Sequence, residues 1–599
     1  MTPRRQFIEI VVLLATATTT AVALPTLRDL VDPRQQFALY DTLSAIVALQ
    51  YKHNEIGSDE APLPTAPSHR FPSIQQLNGN YSDILFQGDI LLPTKALVEM
   101  VDESQTRRKR TAYRNALYPT TIWKRGVPFA FHRSLSNYGR RSVLAAIQFF
   151  RSQTCIKFRR RTTEPVYLLF TGHDQGCWST VGRAAEQRQQ IVSIGPGCEP
   201  FGISSHEVAH ALGLYHEQSR YDRDNWINIY PNRVPRGLLY NFAKVSRRSM
   251  DTYRTQYDIG SVMHYTPFEF SVDPTVPSMV AVNINEQAAM GQLAGPSFRD
   301  ILILNRHYQC EAKCRRKIQC FNGGYQNPNA CRRCKCPPGY GGKFCGTIQT
   351  PSIDRCSRKM IATKTPRRMR VRINENQFAK GARTCIFHIV VGEGKAYLTL
   401  TLPEINPEFH APYNARVQLI VDQVSGNCVP GCWREAAEFK VRHNKQTTGN
   451  RFCCHLTKPK KVLSNSPTVP FILKAVRKSA EIVFRFRFIE RTPARDGDGT
   501  DDEVEIDDDE YVFDKPQSEV DDEFEIDVQE ALPLGTPPNA DDLLEVPFHD
   551  GSSSEENPAD YEEEMTKTLQ ELPPLDDDLE LMVDDNDVVE LEKPARKTP

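Results

Sequence analysis

The sequence predicts an α+β domain in two lobes, then a small cysteine-rich module, an all-β sandwich and a disordered acidic tail. Three observations support this order. A chain of 599 residues is too long for one domain and calls for roughly three to five units. All sixteen cysteines lie between Cys155 and Cys454, six of them between Cys314 and Cys345. Charge is segregated: 38 of the 75 acidic and 5 of the 74 basic residues fall in 496–599, leaving 37 acidic and 69 basic in 1–495. A net charge of -1 therefore conceals a basic body fused to an acidic tail. An apolar content of 40%, with 9% aromatics, excludes a wholly disordered chain, a collagen and a lone disulfide mini-protein.

Residues 1–23 have the layout of a signal peptide: Arg4 and Arg5, a short apolar centre from Ile10 to Ala15, and small residues Ala21-Val22-Ala23 for cleavage. The apolar run falls short of the ~20 residues that span a bilayer. No later stretch qualifies, so the reading is a secreted, extracellular protein with no membrane anchor. An even cysteine count fits a disulfide framework in an oxidising compartment. Residues 24–110 then form a propeptide that ends in Arg107-Arg108-Lys109-Arg110, a site for a secretory-pathway processing protease. A solvated basic patch is the plainer alternative. Cleavage there leaves Thr111 first, and a second trim after Arg114 leaves Asn115. Asn80-Tyr81-Ser82 is an N-glycosylation signal with Asn80 as acceptor.

The chemistry is concentrated in His206-Glu207-Val208-Ala209-His210-Ala211-Leu212-Gly213-Leu214-Tyr215-His216. On a helix His206 and His210, four apart, share one face and reach the same metal ion. Ala209, Ala211 and Leu212 favour that helix. Gly213 takes positive φ cheaply, so the chain turns sharply and returns His216 as a third ligand. Three imidazoles with an open position are a hydrolytic zinc geometry. Glu207 sits beside the metal without ligating it, as a base for water. The expected chemistry is metal-assisted peptide hydrolysis without a covalent acyl-enzyme, with Glu207 taking a proton and delivering it to the leaving amine.

The long zinc motif is that of metzincin proteases, and its continuation Glu217-Gln218-Ser219-Arg220-Tyr221-Asp222-Arg223-Asp224 resembles the astacin family. The family usually has proline where this chain has Tyr221, a change that leaves the ligands untouched. Ser261-Val262-Met263-His264-Tyr265 resembles the astacin Met-turn. By that resemblance Met263 forms an apolar floor under the zinc site. Tyr265 becomes a displaceable zinc ligand whose hydroxyl stabilises the oxyanion. Gly176 to Arg183 resembles the strand and loop that border the cleft, with Ala184-Ala185 in place of the usual glycines. The resemblance further implies the disulfides Cys155–Cys310 and Cys177–Cys198 and a contact between Glu217 and the mature N-terminus. Phe86-Gln87-Gly88-Asp89 matches the family's latency motif, in which Asp89 binds zinc in place of the catalytic water. The catalytic domain is then an α+β two-lobed metzincin domain over 115–310, with regular structure concentrated in its first half.

Residues 311–346 resemble an EGF-like module with the family pairing Cys314–Cys331, Cys320–Cys334 and Cys336–Cys345; a zinc knuckle is the alternative for so cysteine-rich a tract. Turn signals at Asn322-Gly323-Gly324 and Pro337-Pro338-Gly339 fit either. Residues 353–495 carry strand-like runs, among them Ala480 to Phe488 with its alternation of apolar and polar side chains. They loosely resemble a CUB module, without its usual proline-tyrosine signature. Cys356–Cys385 is the expected first bridge, and the pairing among Cys428, Cys432, Cys453 and Cys454 stays open. This segment holds 27 basic and 10 acidic residues, a surface for acidic polymers or acidic proteins. Secretion excludes nucleic acid as the partner. Residues 496–599 cannot bury enough apolar surface to fold alone, and the sharper expectation is that they fold back on the basic module.

Together these features point to a secreted zinc endopeptidase, made as a zymogen with one Zn²⁺ per chain. The arrangement resembles nematode astacins, whose substrates are proteins of extracellular matrix, cuticle or eggshell. The alternative is a non-catalytic matrix-binding protein on a protease scaffold.

Overall fold

The computed structural model describes Leu27 and residues 33–52, 72–81, 83–105, 121–173, 176–184, 188–247, 249–379, 381–391, 415–490 and 525–528. The expected signal peptide, the Arg107–Arg110 run, Thr111 and Asn115 lie outside the described residues.

The segment ahead of the protease forms helix α1 (Pro33–Lys52), a single turn α2 (Ile74–Leu77) and helix α3 (Thr94–Gln105). Ser73 starts α2 with a capping box: its Oγ accepts from the Gln76 N–H while the Gln76 side chain accepts from the Ser73 N–H. Apolar residues of α1 and α3, among them Tyr40, Leu43, Val47 and Leu97, share one core with Ile227, Tyr240, Phe242 and Phe270 further along the chain. Tyr40 stacks on Tyr240 with ring centroids 4.1 Å apart. This segment is thus built into the core of the domain that follows it.

The upper lobe is a five-stranded sheet made of β1 (Val127–Phe131), β2 (Phe158–Arg160), β3 (Tyr167–Thr171), β4 (Cys177–Trp178) and β5 (Gln189–Ile194). Its order is β2-β1-β3-β5-β4, parallel except for β4 at the edge. All five residues of β3 are buried, as a central parallel strand requires. Helix α4 (Asn137–Gln153) starts on Ser136, whose Oγ accepts from the Gly139 N–H at 2.9 Å. Helix α5 (Phe201–Ala211) packs on α4 and is buried from Gly202 to Ala211. A helix covered on every side has no solvated face, so its polar residues Ser204, Ser205, His206, Glu207 and His210 are buried with the rest.

Beyond His216 regular structure thins out. Short 3₁₀ turns alternate with loops, and one two-stranded ladder joins β6 (Ile227–Ile229) to β7 (Met279–Ala281). Helix α6 (Phe298–His307) then returns to the upper-lobe core through Ile301 and Leu304. The disulfide Cys155–Cys310 ties its far end to the end of α4, and Cys177–Cys198 ties β4 to the loop before α5.

Two small ladders follow, β8 (Tyr325–Gln326) with β9 (Cys334–Lys335) and β10 (Tyr340–Gly341) with β11 (Thr347–Ile348). Three disulfides, Cys314–Cys331, Cys320–Cys334 and Cys336–Cys345, staple a stretch with little apolar core of its own.

The last globular part stacks two sheets on one core. Its strands are β12 (Ser357–Ala362), β13 (Arg367–Ile373), β14 (Arg383–Val391), β15 (Ala415–Ser425), β16 (Ala436–Phe439), β17 (Asn450–Phe452), β18 (Lys460–Leu463), β19 (Thr468–Ala475) and β20 (Ala480–Glu490). One sheet runs β12-β14-β19-β16-β17, and the other runs β18-β15-β20-β13 with β21 (Glu525–Val528) at its edge. Cys356–Cys385 is present, and the open pairing resolves as Cys428–Cys454 and Cys432–Cys453, so no cysteine is free.

Strand β21 corrects the expectation of a tail disordered throughout 496–599. Glu525–Val528 pairs in parallel with β13, Arg370 opposite Glu525 and Arg372 opposite Asp527. Four residues cannot make a core, but they can extend a sheet that already has one.

Candidate active site

Helix α5 sets His206 and His210 one turn apart with ring centroids at 4.6 Å. The helix ends at Leu212, and Gly213 turns the chain with φ of 111°. A Cβ there would also lie 2.8 Å from Nε2 of His307. The turn brings the His216 ring to 4.7 Å from His210 and 5.2 Å from His206.

Each imidazole is held by its Nδ1. His206 Nδ1–H donates to the Val262 carbonyl at 2.8 Å, and His210 Nδ1–H donates to the Leu214 carbonyl at 2.7 Å. His216 Nδ1–H donates to Gln87 Oε1 at 2.9 Å; the Gln87 amide donates to the Ala243 carbonyl, which fixes its orientation. With Nδ1 carrying the proton, every Nε2 presents a lone pair. Burial lowers the pKa of His210, and that of His216 to about 4, so both rings are neutral near pH 7.

Asp89 points its carboxylate into these lone pairs. Its Oδ2 lies 3.0 Å from His206 Nε2 and 3.2 Å from His216 Nε2, and its Oδ1 lies 3.5 Å from His210 Nε2. The Nε2 atoms of His206 and His216 stand 3.2 Å apart. Four acceptors facing one another with no hydrogen between them need a cation. Tetrahedral zinc with bonds of about 2.0–2.1 Å separates its donors by about 3.3 Å, and the four donor atoms here all lie within 4.8 Å of one another. His210 Nε2 and Asp89 Oδ1 are buried without a hydrogen-bond partner among the described residues, as atoms reserved for a metal would be. The residues fit a zinc ion.

Glu207 is wholly buried, and neither of its carboxylate oxygens has a hydrogen-bond partner among the described residues. Burial first, and then the charge of Asp89, push its pKa well above the ordinary carboxylate range. Burial would raise Asp89 as well; among neutral imidazoles it keeps its charge only beside the cation that these donors call for. Asp89 therefore carries the charge and Glu207 the proton.

Tyr265 lies beside His216, ring centroids 5.0 Å apart, and its hydroxyl donates to the Gln87 carbonyl at 2.5 Å. Met263 is buried in the upper-lobe core with Val208 and Leu212, and its carbonyl accepts from the Glu217 N–H at 2.9 Å. Glu217 Oε1 accepts from Arg220 Nη1 at 3.1 Å and from the Asp258 N–H at 2.8 Å. Burial pushes its pKa up to about 7. A cavity of about 110 Å³, bordered by Gly213, Arg220 and Tyr253, opens at Glu217. Asn80 is exposed in the short 3₁₀ turn Gly79–Tyr81.

The segment around Asp89 follows the edge of the sheet. Ser179 N–H donates to the Asp89 carbonyl at 3.0 Å, and Leu91 N–H donates to the Ser179 carbonyl at 2.9 Å. Gln87 and Gly88 both have positive φ, 52° and 82°. Asn78 clamps the turn: its amide nitrogen donates to the carbonyls of Gly88 and Cys177, at 2.7 and 2.6 Å. Sequence reasoning passed over Asn78, Gln87 as a histidine partner, and Asp300, whose carboxylate accepts from Ser261 Oγ and the Val262 N–H at 2.6 and 3.1 Å. Of these only Asp300 leaves a local signal, the Ser297-x-x-Asp300 capping box that opens α6.

Three convergent imidazoles with a carboxylate beside them form the donor set of a hydrolytic zinc centre. The profile of the astacin peptidase family matches residues 115–309. Zinc metalloproteinase nas-23 of Caenorhabditis elegans is 46% identical over 487 residues, covering 80% of this chain and 86% of its own length. Zinc metalloproteinase nas-29 of the same organism is 40% identical over 507 residues, covering 81% and 91%. Among solved structures, high choriolytic enzyme 1, a hatching enzyme zinc-protease from Oryzias latipes, is 31% identical, with a TM-score of 0.29, over 34% of this chain and 99% of that one. This chain belongs to the astacin family and is a zinc metalloendopeptidase with one catalytic zinc ion. No helix among the described residues is long and apolar enough to cross a membrane.

Proposed function

We propose that the chain is secreted as a zymogen and, once its propeptide is cut at Arg107–Arg110, hydrolyses proteins of extracellular matrix, cuticle or eggshell. The observation that carries the zymogen reading is the Asp89 carboxylate set among the Nε2 atoms of three imidazoles. His206, His210 and His216 would hold the zinc, with Asp89 as fourth ligand before activation. When bound, the ion acidifies water and polarises the scissile carbonyl.

This chain's own residues do the rest. With Asp89 withdrawn, Glu207 loses the neighbour that helps keep it protonated. It takes a proton from the attacking water and delivers it to the leaving amine nitrogen. Tyr265, whose hydroxyl already meets a peptide carbonyl at Gln87, donates to the oxygen that gains charge in the substrate. Met263 serves as packing beneath the histidines, and Glu217 receives the new N-terminus in the cavity beside it. The two small ladders with their three disulfides act as an EGF-like spacer, and the sandwich acts as a CUB-like module. Asn80, exposed on the propeptide, is a site for N-glycosylation.

The test uses the activated enzyme with Glu207→Gln, which keeps the shape and removes the base. A positioned base contributes about 10²–10⁴-fold. Cleavage of a generic protein substrate is expected to fall by about that factor with zinc content unchanged. Equal cleavage by both proteins removes Glu207 from the mechanism.

A further inference from the structure

The zinc site is not walled by the protease domain alone. A cavity of about 50 Å³ is bordered by His206, His216 and Tyr265 on one side and by Pro430 and Trp433 of the sandwich on the other. The loop that carries them is pinned. Cys432 is bonded to Cys453, Arg451 Nη1 donates to the Gly431 carbonyl at 2.8 Å, and the Arg434 guanidinium lies 4.9 Å from the Trp433 ring centroid. Gly431 touches the protease rim: a Cβ there would lie 2.3 Å from Cα of Gln292, another residue of the same cavity. Its φ of 75° also favours glycine.

The sandwich has little freedom to swing away. Arg442 makes a two-pronged ion pair with the buried Glu286 and lies 4.4 Å from the Trp226 ring centroid. The Thr448 N–H donates to Asp258 Oδ1 at 2.9 Å, the same carboxylate whose other oxygen accepts from Ser297 Oγ at 2.9 Å. A bidentate pair beside an aromatic ring fixes orientation as well as distance.

We propose that Pro430 and Trp433 form one wall of a substrate subsite, so that the sandwich module helps set which peptide bond is cut. The inference rests on the protease reading of the cleft. The remaining lining includes Val262 and Leu293 beside Thr266 and Glu269, and the Pro430 and Trp433 rings favour an apolar side chain. In the zymogen propeptide residues Pro72–Gln75 border the same cavity, and Ser73 Oγ donates to Glu269 Oε1 at 2.5 Å. Removing the propeptide uncovers the subsite together with the zinc ligands. Trp433 is then a specificity-determining residue, placed beside the substrate by a different module.

The experiment profiles the activated full-length enzyme against a peptide library, for wild type, Trp433→Ala and Trp433→Leu. In an apolar pocket the loss of packing surface changes discrimination by about 10-fold or more. Trp433→Ala is expected to reduce the preference for large apolar over polar residues about 10-fold at one substrate position. The readout is the ratio of kcat/KM between peptides with a large apolar residue and with alanine at that position, which a structural defect depressing every peptide alike would leave unchanged. If melting shows that the alanine variant unfolds the module, Trp433→Leu decides, with a shift expected at the same position. A wild type that cuts no peptide overturns the protease reading. A wild type that cuts, with profiles unchanged in the folded variants, overturns the subsite alone.

Discussion

Asp89 and Glu207 are two carboxylates in one dry site, and the charge of Asp89 favours the proton on Glu207. Asp89 keeps its charge beside the metal ion that its neighbours would hold, and burial leaves the proton on Glu207. Latency on this view is a matter of which carboxylate is ionised as much as of blocked access. In an Asp89→Ala zymogen whose Arg107–Arg110 run is also replaced, so that it cannot be cut, the imidazoles lose their anionic partner. A charge-assisted interaction contributes about 1.5–3 kcal/mol, so residual proteolysis is expected to rise by about 10- to 100-fold over the zymogen with Asp89 intact. An uncut Asp89→Ala protein as silent as that parent would show that packing of α1 and α3 alone enforces latency. The three histidines and Glu207 are legible in the sequence because their chemistry is local, with two ligands a helical turn apart and a glycine where the chain must turn. Gln87, Asn78 and the carbonyls of Val262 and Leu214 are not, because they come from distant segments that meet only in the folded core.

At the scale of elements, β20 is readable because it repeats one period long enough to identify it, and α5 because two histidines stand four apart among helix-favouring residues. The lower lobe has no such period: its 3₁₀ turns are held by side-chain contacts such as Arg223 Nη1 to the Gln218 carbonyl at 2.8 Å. The β16–β17 hairpin shows a second unreadable device, a buried acid. Burial would raise Glu438, but Arg451 at 3.0 Å and the Gly449 N–H at 2.9 Å help hold it at about 2. The Lys440 ammonium, 3.7 Å away, lowers it too, ranking after the charge of Arg451 and ahead of the Gly449 N–H. A depressed carboxylate stabilises the fold above its ordinary value of 4.5, and the contribution is lost as pH falls towards 2. The melting temperature of Glu438→Gln is therefore expected to lie below wild type at pH 7 and to converge on it between pH 4.5 and pH 2. A gap that stays constant over that window would mean that the charge of Glu438 contributes nothing.

Across the whole molecule the segregated charge acquires a structural meaning at β13. Its arginines at 368, 370 and 372 alternate with buried Met369, Val371 and Ile373, and Glu481 pairs with Arg370 at 2.6 Å. The tail strand β21 meets this alternation in register: Glu525 and Asp527 opposite arginines, Ile526 and Val528 opposite Val371 and Ile373. A slip of one residue would set each acid against an apolar position, so the pairing has one preferred register. The acid-apolar pattern occurs twice in the tail, as Asp-Asp-Glu-Val-Glu-Ile-Asp at 501–507 and Asp-Asp-Glu-Phe-Glu-Ile-Asp at 521–527. Without the tail β13 becomes a basic edge strand with open backbone groups, a template for acidic polymers or extended acidic peptides. Deleting residues 496–599 is therefore expected to raise the salt needed to elute the protein from immobilised heparin. The difference should fade towards 1 M salt, where charges are screened beyond about 3 Å. A synthetic peptide of residues 521–528 should lower heparin binding of the truncated protein more than that of the full chain, whose β13 edge is already taken. Equal elution of the truncated and full-length proteins at low salt would mean that the tail leaves the basic module uncovered.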